Sequence, residues 1–110
     1  MDINHFLNSL LHSLSALDFV ENVDLPTEAF ILKGKVILKK GRFLQVYFNE
    51  ETQTTAFALI EEGERIWGID FDNIRGWHIH TFENPESHNN IDTMTVEGII
   101  AKLDEVWLSS

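Results

Sequence analysis

The sequence predicts one α+β domain over residues 1–110, in which an N-terminal helix, a five-stranded antiparallel meander and a C-terminal helix form two layers. Three observations predict it. Apolar residues recur at intervals of three and four at both ends of the chain, they alternate with period two between Ala29 and Phe82, and the turns between the alternating runs are short.

In the first element Ile3, Phe6, Leu7, Leu10, Leu11, Leu14 and Leu17 mark one helical face. The following ENVDLPTE reads as a connection, because Pro26 disfavours helix at Leu25. Strands are expected at Ala29 to Lys39, Arg42 to Phe48, Gln53 to Ile60, Arg65 to Phe71 and Trp77 to Phe82, with KG, NEET, EEGE and DNIRG at the turns. Such short connections imply antiparallel neighbours. After the polar ENPESHNNIDT, Val96, Ile99, Ile100, Leu103, Val106 and Trp107 return to helical spacing, with Thr93 or Thr95 as N-cap.

At 110 residues with 44% apolar and 24% charged residues, the chain is long and apolar enough to bury a core. It has no cysteine, which excludes disulfides, thiolate nucleophiles and cysteine-ligated metals and fits a cytoplasmic address. The N-terminus carries no Lys or Arg before Lys33 and its apolar residues are interrupted by polar ones, so neither a signal peptide nor a membrane span is expected. Eighteen acids against eight bases give a formal charge of -10, which opposes nonspecific contact with nucleic acid. Five of the bases, however, fall in KGKVILKKGR as Lys33, Lys35, Lys39, Lys40 and Arg42.

The chemistry concentrates in one hairpin. Period two sends Trp67, Ile69, Phe71, Trp77 and Ile79 to the core and Gly68, Asp70, His78 and His80 to the other face. A turn over Asp72 to Gly76 sets Phe71 opposite Trp77, Asp70 opposite His78 and Gly68 opposite His80, so the glycine is expected to leave space for a ligand. A carboxylate on one ring nitrogen orients an imidazole and raises its basicity. His78 and His80, with Asp70, could therefore exchange protons as in metal-independent cleavage of an RNA phosphodiester by its own 2′-hydroxyl. As an alternative, the spacing of His78, His80, His88 and Asp70 permits, without demanding, a site for zinc, manganese or iron. The plain alternative is a surface Asp–His pair with no chemistry.

Lys33, Lys35 and Lys39 share a face of the first strand and are candidate phosphate contacts, or else guards of an exposed edge. In the second strand both faces carry large apolar groups, Leu44, Val46 and Phe48 on one and Phe43 and Tyr47 on the other. A homodimer partner or another protein is expected to cover the second face, unless the chain's own helix or a curved sheet suffices.

The run WGIDFDNIRGWHIHTFENPESH, followed by an amphipathic helix, resembles the TumE-type toxins of prokaryotic toxin–antitoxin modules over about the last half of the chain. An aromatic strand leads into Asp-Asn, and a glycine, a His-rich strand, a polar loop and a helix follow. Asp72, Asn73, Gly76, His78, His80 and His88 occupy the matching positions. The resemblance implies a small cytosolic toxin neutralised by an antitoxin, often a helix-turn-helix protein, with RNA as a plausible target. It adds Asp72 to the catalytic candidates and Asn73 to the substrate-binding ones, and Arg75 in the same turn is a further substrate-binding candidate. The leading expectation is thus a TumE-like toxin acting as a ribonuclease without metal; the alternatives are a noncatalytic module whose acidic surface binds a protein and a metal-dependent hydrolase.

Overall fold

In the computed structural model, which describes residues 1–109, helix α1 (Ile3–Leu14) and helix α2 (Val96–Trp107) accompany an antiparallel sheet of eight strands. The strands are β1 (Val20–Asp24), β2 (Thr27–Glu28), β3 (Ile31–Leu38), β4 (Phe43–Asn49), β5 (Thr55–Glu61), β6 (Glu64–Asp72), β7 (Gly76–His80) and β8 (Asn89–Asn90). Their order is β1-β3-β4-β5-β6-β7-β8, with β2 beside β3. The five expected strands are present as β3 to β7, in the expected meander, with ends shifted by one or two residues.

Three short edge strands correct the count of five. The segment expected to be a bare connection forms β1 and β2, both along β3. Pro26, which has no N–H to donate, lies in the gap between them. Gly34 makes that crossing possible, since a Cβ there would stand 2.2 Å from the Asp24 carbonyl oxygen. Strand β8 arises where the polar segment after Phe82 turns back and pairs Asn90 with His78. Neither edge has the apolar alternation by which strands are recognised.

Helix α1 also ends earlier than its apolar pattern. Asp2 caps it by accepting the His5 N–H at 2.7 Å. After Leu14 the chain tightens, with Leu17 N–H donating to Leu14 O, and Leu17 still packs against the core. Thr95 rather than Thr93 caps α2, its hydroxyl accepting from Gly98 N–H.

Both helices pack on the face that carries Leu44, Val46 and Phe48. Phe6 of α1 stacks on Phe48 with centroids 4.2 Å apart and meets Phe57 at 5.9 Å, while Phe19 stacks on Trp107 of α2 at 4.1 Å. Trp67 and Ile69 are buried there as expected, and Trp77 and Ile79 pack against the same core. The opposite face bears Lys33, Lys35, Phe43, Gln45, Tyr47, Asp70, His78 and His80. Among the described residues no helix is long and apolar enough to cross a membrane.

A candidate metal centre beneath a loop

Register places the histidines. Strands β6 and β7 pair Phe71 with Trp77, Asp70 with His78 and Gly68 with His80, as period two and the turn predict. His78 and His80 therefore project to one side, away from the helices, with Asp70 between them.

They are not, however, on an open surface. His78 and His80 are 1% and 0% exposed, because residues 81–88 fold back over them and deliver His88, which itself remains exposed. Period two distinguishes the two faces of a sheet but says nothing about a loop that later covers one. Asp70 keeps 22% side-chain exposure and lies at the edge of the cluster.

One carboxylate oxygen serves both rings. Asp70 Oδ2 is 3.4 Å from His78 Nε2 and 3.3 Å from His80 Nε2. The opposite ring nitrogens meet backbone carbonyls: His78 Nδ1 is 3.3 Å from Gly76 O, and His80 Nδ1 is 3.0 Å from Pro85 O. A carbonyl only accepts, so each Nδ1 carries the hydrogen, and a ring in its neutral form then turns an Nε2 lone pair towards Asp70. Both Nε2 atoms are buried and without a hydrogen-bond partner among the described residues. One proton between Asp70 and a ring would satisfy only one of the two contacts; a cation among the three atoms satisfies all of them.

The cluster extends to His88, whose ring centroid is 5.2 Å from that of His78 and 4.5 Å from that of His80. One donor atom from each of the three imidazoles lies within 4.8 Å of the others. Tetrahedral ligation with bonds of about 2.0–2.1 Å separates neighbouring donors by about 3.3 Å, the spacing from Asp70 to the two buried rings. The Nδ1–carbonyl contacts are those that orient metal-ligating histidines. Burial holds the His80 imidazole below its ordinary pKa, the Arg65 guanidinium adds to this, and the opposing pull of Asp70 does not outweigh them. The neutral, ligand-competent form is favoured.

Arg65 is a member of the site that alternation does not reveal. A register irregularity between Leu59 and Ile60 sets Ile60 opposite Arg65 and turns this arginine to the face of the histidines. Its guanidinium lies 4.0 Å from Asp70 Oδ2 and donates to Pro85 O at 3.5 Å. The stem also corrects the expectation of ligand space at Gly68. A Cβ there would meet Phe57 O at 2.6 Å and Arg65 Cδ at 3.4 Å, so the glycine permits close backbone approach and is itself buried.

Asp72 and Asn73, the residues of the Asp-Asn resemblance, lie at the hairpin tip with Arg75. Asp72, the last residue of β6, accepts from Ile74 N–H at 2.9 Å, from Arg75 N–H at 2.7 Å and from Arg75 Nε at 3.0 Å. The Arg75 backbone donor is the foremost cause holding its carboxyl below the ordinary pKa. Asp72 and Arg75 thus close their own turn, and Asn73 donates to Thr52 O at 3.0 Å. Lys33 and Lys35 share the histidines' face of the sheet, whereas Lys39 falls beyond the end of β3. Comparison with family models, curated proteins and solved structures finds no match to this chain.

Proposed function

We propose that this chain is a metal-dependent hydrolase whose centre is formed by His78, His80, His88 and Asp70. The observation that carries the reading is the convergence of two buried Nε2 lone pairs on one Asp70 oxygen, with both Nδ1 atoms engaged by carbonyls. The all-nitrogen-and-oxygen donor set suits zinc, and also iron, manganese or nickel. A bound ion of this class acidifies water and polarises an acyl or phosphoryl oxygen. The chain's own contribution is orientation. Strand β7 fixes two rings, the 81–88 loop brings the third, and the partly exposed Asp70 either completes the ligand set or accepts a proton from water at the mouth. Arg65, beside Asp70, offers positive charge to an anionic group arriving there.

The metal-free reading, with His78 and His80 as an acid–base pair, has less support. Both rings are closed from solvent and both turn the same nitrogen to the same carboxylate, which leaves no second imidazole facing a leaving group. The noncatalytic, acidic protein-binding module has no specific contact in its favour.

The cellular setting we propose is a TumE-like toxin of a cytoplasmic prokaryotic toxin–antitoxin module, held by a helix-turn-helix antitoxin. Its support is the motif order through Asp72, Asn73, Gly76, His78, His80 and His88. Growth arrest on expression, relieved by His80→Ala, is the expected outcome.

The metal reading is tested on untagged protein by elemental analysis after dialysis against zinc. One equivalent is expected in the native chain and much less in the His78→Ala/His80→Ala variant. Equal uptake by both would remove the centre.

A further inference from the structure

The lysine-bearing strand is in register with the histidine cluster. Lys33 pairs with Tyr47, Tyr47 with Ala56, Ala56 with Asp70 and Asp70 with His78, so these residues form one row across four strand boundaries. A second row runs from Lys35 through Gln45, Ala58 and Gly68 to His80. At about 4.8 Å per strand, the backbone of Lys33 stands about 14 Å from that of Asp70.

The row through Tyr47, Ala56 and Asp70 makes a track with high ends and a low middle, with Lys35 and Gln45 beside it. Ala56 and Ala58 supply little side chain between Tyr47 and the cluster, the Arg65 stem lies over the buried Gly68 at the edge of the cluster, and among the described residues no helix covers this face. Lys33 and Lys35 are exposed and, among the described residues, neither is in an ion pair, in a chain with ten more acids than bases. Asp24, opposite Lys35 on β1, does not pair with it; Lys35 Nζ instead lies 5.1 Å from the Phe43 ring centroid. Free cations beside aromatic side chains on a sheet are what a phosphodiester chain with unstacked bases requires.

We propose that this track binds single-stranded nucleic acid, with phosphates at Lys33 and Lys35, a base against Tyr47 and the strand leading to the cluster at Asp70. As the substrate of the hydrolytic centre, the assignment rests on the metal reading; as a binding surface, it is separately measurable. A duplex is too wide and stacked to lay a base on Tyr47, and an acidic peptide gives the aromatic residues no planar partner.

The experiment is fluorescence anisotropy with a fluorescein-labelled ten-nucleotide oligouridylate, with and without zinc, alongside zinc uptake by the same preparations. Native protein is expected to bind. Lys33→Gln/Lys35→Gln should weaken binding on the order of tenfold and lower the salt slope by about 1.4, as loss of two single-strand phosphate contacts requires. Tyr47→Ser should weaken binding with the salt slope unchanged, and Lys102→Gln on α2 should have no effect. No binding, equal losses from Lys102→Gln and the double variant, or stronger competition by polyglutamate than by unlabelled oligonucleotide would overturn the proposal. Zinc uptake without oligonucleotide binding removes this track and leaves the metal centre. Oligonucleotide binding at the lysines without zinc uptake removes the metal centre and leaves the track.

Discussion

Asp70 presents its Oδ2 to His80 Nε2 at 3.3 Å while the far side of that ring is held by the Pro85 carbonyl. The same oxygen faces His78 Nε2 at 3.4 Å, so with neutral rings the carboxylate is set among lone pairs with no hydrogen between them. In the metal-free chain this arrangement is unfavourable; with a cation in place it becomes a ligand set.

Asp70→Asn is accordingly expected to act in opposite directions. Its amide can donate to one buried Nε2, which should stabilise the metal-free chain by about 0.5–1.5 kcal/mol. Zinc affinity should fall by about 10–100-fold. Chemical denaturation in EDTA and calorimetric zinc titration measure the two effects, and destabilisation of the metal-free variant would contradict the lone-pair assignment.

His88→Ala separates metal ligation from folding. His88 is exposed and comes from the covering loop, so its removal should leave the metal-free melting temperature nearly unchanged. Native protein with free zinc at about 100 times Kd should gain about 2.7 kcal/mol, and the variant should lose most of that gain. Thermal melts with and without zinc check this.

The pH dependence of the metal-free chain follows from His80. Its folded pKa lies below the ordinary 6.5, so above that value both folded and unfolded forms are neutral and stability is complete. As pH falls from 6.5 through the folded value, the unfolded chain binds the proton more readily and stability is lost. Denaturation midpoints in EDTA should decline across this interval, and His80→Gln should flatten that part of the profile.

Asp72 should behave as a turn residue. Its carboxyl is held below 3.8 by the Arg75 and Ile74 donors, so the turn is intact above that value and loosens as pH falls through the lower folded value. The amide resonances of Ile74 and Arg75 should titrate together with a midpoint below 3.8. Asp72→Ala should loosen the hairpin tip without altering zinc uptake.

Phe6 anchors α1 between Phe48 and Phe57. Phe6→Ala should cost about 3–5 kcal/mol in urea denaturation, because the cavity lies between a helix and two central strands. A loss below 1 kcal/mol would mean that the helix does not depend on this contact.

Local periodicity determined much of this protein by itself. The spacing of Phe6, Leu10 and Leu14 and of Ile99, Ile100 and Leu103 specifies two amphipathic helices, and alternation from Ile31 to His80 specifies the central strands and the pairing of Asp70 with His78. These features depend on side-chain period and on short turns, which neighbouring residues encode. Tertiary structure decided what lies far apart in sequence or breaks the period. The return of residues 81–88 buried two imidazoles expected at the surface, the irregular register at Ile60 brought Arg65 to Asp70, and pairing along β3 turned a proline-containing connection into edge strands. Each depends on which backbone groups find partners after collapse, and the spacing of apolar residues carries no record of that.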